Sequence, residues 1–412
     1  MPLLSILRFF TTLLSLAILG TGGYLLWSWY QGEWLTDADG ALYRAREDWR
    51  LWTALGLLAW SFLGRMIMLP LLAKPDKRRT SPERGQGQNV RGASGSTLYV
   101  EHHGPAGAPL IIFTHGWSLD STIWRYAKED LGDRFRLVLW DLPGLGRSKA
   151  PADGHISLED FASDLGALLS ASGGPAVLVG HSIGGMTIQT LVRDHPELAD
   201  RIAGVVLLNT TYTNPLKTMI LSRLVQALRN PILEPAMRLT IWLQPVVWLS
   251  QWQSYLSGSV HLAHRFGFGK FVTRSQLEHS ALLSTRNPPG VQAKGDLAMF
   301  RWDATGALAR SQKPVLVVGG DKDIITKLEA SRRISQDIST AKLEVVQGVN
   351  HMGFLERADL YNQLIADFAL AVQSSARPDR RSFASAEPSP AEADSATRPN
   401  GVDRAPPRTP LH

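Results

Sequence analysis

Ser182 stands in Gly180-His181-Ser182-Ile183-Gly184, between an apolar run over 176–179 and an amphipathic stretch from 185 to 192. A strand that passes through Gly-x-Ser-x-Gly into a helix makes a turn too tight for side chains on its flanks. That turn lifts the serine hydroxyl to the top of a sheet, where a base and a carbonyl can reach it. Further along, the apolar run 315–318 leads into Gly319-Gly320-Asp321-Lys322-Asp323, and the run 343–346 leads through Gly348-Val349-Asn350 to His351. A serine, an acid and a histidine in that order suit acyl transfer. His351 takes the proton from Ser182 during attack and returns it to the leaving group, while a carboxylate fixes the imidazole tautomer. Asp321 and Asp323 both stand where that carboxylate is needed. The chemistry also needs donors aimed at the oxygen that turns negative. The apolar run 109–113 ends in Thr114-His115-Gly116-Trp117, and the backbone N–H groups of Trp117 and Ile183 are suitably placed for such a hole.

Five ordered motifs carry a resemblance. From about residue 97 to 372 the chain resembles the α/β-hydrolase superfamily, in its serine-nucleophile esterase and lipase-like branch. His115-Gly116 resembles the oxyanion segment, and Asp141-Leu142-Pro143-Gly144-Leu145-Gly146-Arg147-Ser148 resembles the family's D-x-x-G-x-G-x-S loop. Gly180 to Gly185 matches the elbow, Gly320 to Asp323 the acid loop, and His351-Met352-Gly353-Phe354-Leu355-Glu356 the histidine loop. The family's spacing favours Asp323 over Asp321. Thr114-His115-Gly116-Trp117 with Gly-His-Ser-Ile-Gly-Gly is also similar to cofactor-free haloperoxidase-type esterases. Ser182 argues against the dehalogenase and epoxide hydrolase branches, whose alkyl-enzyme intermediate needs a carboxylate nucleophile. The resemblance implies a carboxylic ester hydrolase working through an acyl-enzyme. Acyl transfer to another acceptor, or thioester, amide, lactone or carbon–carbon cleavage, would use the same triad, and a non-catalytic scaffold is the alternative from another class. Asp141 is read as a loop-fixing residue that accepts backbone N–H groups near Gly144. His181 is expected to pack or cap beside the elbow, and His102 and His103 to be ordinary strand residues.

These residues need a sheet to hang on. Apolar runs at 98–102, 110–114, 136–140, 176–179, 202–208, 315–318 and 343–346 alternate with helical stretches at 122–129, 158–170, 185–194, 326–335 and 358–372. That alternation predicts an α/β-hydrolase fold, a mostly parallel doubly covered sheet with its site at the carboxyl ends of the strands. Residues 213–298 break the pattern where the family inserts a helical cap. Trp242, Trp248 and Trp252 there suit an acyl pocket or a bilayer surface, with plain packing of the cap on the core as the alternative, and the cap with the predicted bilayer location motivates a lipid-like, hydrophobic ester as substrate. His261, His264 and His279 share no ligand spacing. No metal and no cofactor is expected: no acidic or histidine cluster has ligand spacing, and Gly144-Leu145-Gly146 lacks the third glycine and distal acid of a dinucleotide site.

The ends of the chain add location. Residues 9–30 carry no charge and would form a helix ~33 Å long, near the ~30 Å of a bilayer core. Residues 51–73 form a second apolar run broken only by Arg65. Trp27, Trp29, Tyr30, Trp34, Trp49 and Trp52 cluster as an interfacial belt would. A cleaved signal peptide fits poorly, since only Arg8 precedes the run, no good small-x-small site followed by a mature-looking domain comes after it, and the second apolar run follows too soon. The basic flank Lys74-Pro75-Asp76-Lys77-Arg78-Arg79 then predicts a multi-pass inner-membrane protein with two transmembrane helices and a cytoplasmic catalytic domain. The expected organisation is a membrane anchor over 1–79, a flexible linker over 80–96, the catalytic domain over 97–372 and a disordered tail over 373–412. The 412-residue chain has no cysteine, which excludes disulfides and thiol chemistry, and a formal net charge of +6. The basic excess is assigned to the juxtamembrane cluster lying against the lipid bilayer. No nucleic-acid module accompanies it, and oligomeric state is left open.

Overall fold

A computed structural model describes residues 2–310 and 312–375. The described residues form ten strands: β1 (Glu33–Thr36), β2 (Leu42–Ala45), β3 (Gly87–Arg91), β4 (Thr97–His103), β5 (Leu110–Thr114), β6 (Arg136–Trp140), β7 (Ala176–His181), β8 (Ile202–Leu208), β9 (Val315–Gly320) and β10 (Ala341–Val346). The last eight make one sheet in the order β10-β9-β8-β7-β5-β6-β4-β3, parallel except where β4 pairs with β6 and with β3. Its central strands are apolar on both faces because both faces are covered. Ile111, Phe113, Val177, Val179, Val206 and Leu208 point to one layer, and Ile112, Val138, Leu178, Val205 and Leu207 to the other.

Before the sheet come helices α1 (Pro2–Gln31), α2 (Asp48–Leu63) and α3 (Arg65–Leu72). The sheet is flanked by α4 (Arg125–Leu131), α5 (Leu158–Ala171) and α6 (Ile183–Asp194). Between β8 and β9 the chain leaves the sheet for α7 (Pro215–Thr218), α8 (Ser222–Ala227), α9 (Glu234–Trp242), α10 (Gln244–Leu256), α11 (Ser259–Arg265), α12 (Arg274–Arg286) and α13 (Pro289–Met299), a helical insertion. Then come α14 (Leu328–Asp337), α15 (Gly353–Glu356) and α16 (Ala358–Ser375). Two caps show local sequence at work. Ser157 accepts the Asp160 N–H at 3.0 Å to start α5, and Thr273 with Gln276 forms a reciprocal capping box for α12.

The N-terminal region departs from expectation. Among the described residues, only 5–31 makes a single helix long and apolar enough to cross a membrane. The second apolar run bends by 62° at Gly64 into α2 and α3. A Cβ at Gly64 would collide with the Ser257 carbonyl, so this glycine lets the bend sit directly on the helical insertion. Arg65 then donates to Glu278 at 3.0 Å and to the Tyr255 hydroxyl at 2.9 Å, and Arg265 donates to the Leu72 carbonyl at 3.1 Å. The cation that would burden a span is thus paired on the catalytic domain. α1 docks there as well, through Ser15 to Gln253 at 2.7 Å and Arg8 to Gln292 at 2.7 Å. The expectation of a multi-pass inner-membrane protein with two spans and a cytoplasmic catalytic domain is therefore corrected: the second run is a bent pair of short helices packed against the insertion.

Residues 80–96 also differ from a flexible linker. They contain β3, and Arg84 is held by Asp120 at 2.7 Å and Asp141 at 2.9 Å. Of the predicted tail, 373–375 complete α16 and 376–412 lie outside the described residues.

Candidate active site

Ser182 occupies the one-residue corner between β7 and α6, with φ 57° and ψ −117°. A serine rarely adopts that backbone, and here the surroundings enforce it. A Cβ on Gly180 would lie 2.5 Å from the Gly184 carbonyl carbon, and one on Gly184 would strike the Thr114 carbonyl. The corner is tied to the sheet by the Ser182 N–H donating to Leu208 at 3.0 Å and by Thr210 Oγ1 donating to the Ser182 carbonyl at 2.6 Å. Ile183 is the first residue of α6, so its N–H has no intrahelical acceptor.

Asp323 and His351 come from the loops after β9 and β10. Asp323 Oδ2 lies 3.0 Å from His351 Nδ1 and accepts from Asn209 Nδ2 and Thr326 Oγ1, each at 2.9 Å. Its Oδ1 accepts the backbone N–H groups of Ile325 at 2.8 Å and Thr326 at 2.9 Å. Burial works against the charge on Asp323. The His351 charge and these donors outweigh it, holding the carboxyl below its ordinary range. Asp321 turns away and accepts the Gly348 N–H at 2.5 Å, so of the two acids it is Asp323 that faces His351. His351 Nε2 is buried with no partner among the described residues. Ser182 and His351 line the same cavity.

The oxyanion segment is braced from behind. His115 Nδ1 donates to the Gly116 carbonyl at 2.8 Å, and its Nε2 accepts the Leu142 N–H at 2.9 Å. Burial depresses the His115 pKa and favours that neutral form. A Cβ at Gly116 would enter the His181 ring, which packs 4.8 Å from His351 and donates through Nε2 to the His351 carbonyl at 3.0 Å. Burial first, then the His351 charge, pushes the His181 pKa well down, so His181 is a neutral packing element. Trp117 follows Gly116 and lines the cavity. Asp141 accepts from the Ser121 N–H at 2.7 Å and the Arg147 N–H at 2.8 Å, closing a loop in which Gly144 and Gly146 have φ of 79° and 57°. A Cβ at Gly146 would overlap the Asp141 carboxylate.

Other residues at the site escaped sequence reasoning. Asn209, at φ 45° just beyond β8, links Asp323 to Tyr361, whose hydroxyl donates to Asn209 Oδ1 at 3.1 Å. Its place after a strand end was the available signal, as was the short step from Asp323 to Thr326. Ser5 and Arg8 of α1 line the cavity with Ser182. Nothing in an apolar N-terminal run announces that. The three histidines of the insertion are bonded individually, His261 to Glu278 at 2.6 Å, His264 to Ser284 at 2.8 Å, and His279 to Thr80 and Thr122 at 3.0 Å each. Trp248 donates to the Thr285 carbonyl at 2.8 Å, whereas Trp242 is 78% exposed.

Residues 109–358, more than half of the chain, match the family described as alpha/beta hydrolase fold. Among solved structures, a thermophilic esterase from Thermogutta terrifontis is 24% identical, with 70% of this chain and 99% of that chain covered and a TM-score of 0.51. A bromoperoxidase from Bacillus anthracis is 19% identical over 68% and 99% of the two chains, with a TM-score of 0.54. A membrane phospholipase A described as a bacterial virulence factor is 18% identical over 75% and 90%, with a TM-score of 0.55. At these identities the likeness establishes the fold.

Proposed function

This chain belongs to the alpha/beta hydrolase family and is a serine hydrolase of the esterase and lipase type, and from that premise we propose that Ser182, His351 and Asp323 cleave a hydrophobic, lipid-like carboxylic ester. The observation that carries the assignment is the Asp323–His351 pair at 3.0 Å, with the unpartnered His351 Nε2 in one buried cavity with an elbow serine. With Nδ1–H committed to Asp323, Nε2 is the basic nitrogen. It removes the Ser182 proton as Oγ attacks the carbonyl, and the imidazolium formed is stabilised by the ionised Asp323. The backbone N–H groups of Trp117 and Ile183 are assigned to the oxyanion. Collapse of the tetrahedral intermediate moves the proton from His351 to the departing alkoxide and leaves an acyl-Ser182. Water, deprotonated by His351, then releases the acid and restores the hydroxyl.

The lipid-like substrate and an association with a bilayer rest on surface. Phe10, Met66, Leu71, Trp242 and Leu249 are all more than 60% exposed, large apolar side chains that a lipid surface would cover. Purified protein should float with phosphatidylcholine vesicles, and Ser182→Ala should float equally well while losing turnover of p-nitrophenyl esters. Turnover that survives in Ser182→Ala would sink the mechanism. Protein that stays in the vesicle-free fraction would sink the bilayer association.

A further inference from the structure

The cavity at Ser182 measures only about 30 Å³, room for a water or two and not for an ester. Part of its wall is Ser5 and Arg8, which arrive on α1 from outside the catalytic fold. Arg8 is buried, donating to Gln292 at 2.7 Å and to the Ser284 carbonyl at 3.2 Å, with its Nε unpartnered among the described residues. The same two residues line a second cavity of about 410 Å³, between α1 on one side and α9, α10 and α13 on the other. That volume falls in the about 300–1,000 Å³ span of small-molecule sites. Away from its polar end at Ser5, Arg8 and Asp296, its walls are chiefly apolar, with Leu13 and Leu16 from α1 facing Leu243 and Val247.

We propose that this groove is the acyl-chain site and that α1 is one wall of the active site. The occupant is the long, unbranched acyl chain of the ester, its carbonyl end passing Arg8 to Ser182 and its tail lying between α1 and α10. Ser5 and Arg8 line both cavities, and a substrate attached at Ser182 is the occupant that would need both. A free amphiphile or a second protein would have no reason to share lining with the nucleophile. The polar end suits the ester group and the apolar length suits a methylene chain. Exposed Phe9 and Val246, which also line the groove, would let a chain pass in from a lipid surface. This inference rests on the ester hydrolase reading above.

Two measurements test it on the full chain. The first is the ratio of kcat/KM for p-nitrophenyl laurate to that for the acetate. Ala236→Trp from α9 and Thr12→Trp from α1 each fill the groove, and each should lower the ratio by ten-fold or more. A ratio unchanged in both overturns the proposal. The second needs no variant: an alkyl fluorophosphonate with a diazirine at the end of its chain is reacted with the protein and irradiated. Cross-links should map to α1 or to α9 and α10. Cross-links confined elsewhere, for example to the open depression formed by His155 and Lys294, overturn it. Absence of any adduct at Ser182 would instead count against the hydrolase reading and is thereby told apart.

Discussion

Replacing Asp323 by Asn separates tautomer control from mere packing at this site. Both carboxylate oxygens act only as acceptors: Oδ1 towards two backbone N–H groups, Oδ2 towards Asn209, Thr326 and His351 Nδ1. An amide has only one acceptor oxygen. With its NH2 at the Oδ1 position, it would face two fixed backbone donors. With NH2 at the Oδ2 position, it would face the Asn209 amide and force His351 Nδ1 to accept, which moves the ring proton to Nε2. The second arrangement is the less costly, since Thr326 Oγ1 can rotate, and it removes the base from Ser182. A mis-set tautomer in such a triad costs about 10⁴-fold in kcat, roughly 5.5 kcal/mol at about 1.36 kcal/mol per decade. The loss of acceptor partners adds about 1–3 kcal/mol of destabilisation. Asp321→Asn is the control, because Asp321 bonds only the neighbouring loop and Lys322. Kinetics on p-nitrophenyl butyrate with thermal melts should give a loss near 10⁴-fold for Asp323→Asn and less than about three-fold for Asp321→Asn, the latter touching no reacting group. Comparable losses in the two variants, or a folded Asp323→Asn within ten-fold of the parent, would refute the tautomer argument.

Acid sensitivity should have a histidine component. Burial depresses the His279 pKa to about 4, against about 6.5 when unfolded, so the unfolded chain binds the extra proton first. Stability is then lost as pH falls from about 7 towards 4, by roughly 3 kcal/mol, and urea midpoints of His279→Gln should fall less steeply over that window. The depressed Asp323 acts in the same direction at lower pH, its contribution being present above the unfolded pKa near about 3.9 and disappearing as pH drops through the folded value. Gly184→Ala would push a Cβ into the Thr114 carbonyl and should cost about 3 kcal/mol or more, seen as a large fall in Tm; a Tm within about 2 °C would show that the elbow relaxes. Glu278→Ala removes the carboxylate shared by Arg65 and His261, leaving Arg65 the Tyr255 hydroxyl, and should loosen α3, with faster proteolysis near Gly64 as the readout and unchanged cleavage as the contrary result.

Much of the catalytic half was legible because its signals are local. The elbow needs glycines at fixed positions, β strands covered on both faces read as uninterrupted apolar runs, and the acid and base follow such runs directly. The cap showed itself by interrupting the alternation. What sequence could not supply was set by tertiary context. An apolar helix reads alike whether it meets lipid or protein, and α1 and α3 reveal their packing through distant partners, such as Gln292 for Arg8 and Glu278 for Arg65, 284 and 213 residues away. Gly64 carries no signal of its own within the apolar run 51–73, but its lack of a side chain is what admits the Ser257 carbonyl. β3 is a short edge strand with exposed residues, so its composition resembled a linker. Asn209 and Thr326 act by pointing at one carboxylate from different loops, a convergence no spacing rule encodes.

The central claim is that Ser182 carries the acyl group, and trapping it is the direct test. The protein is incubated with a p-nitrophenyl ester at limiting water activity or with an alkyl fluorophosphonate, digested, and the modified peptide is sequenced by mass spectrometry. A single adduct on Ser182, absent in Ser182→Ala and slowed in His351→Ala, is the predicted result. An adduct on another serine, or ester turnover that persists with Ser182 unmodified, would contradict it.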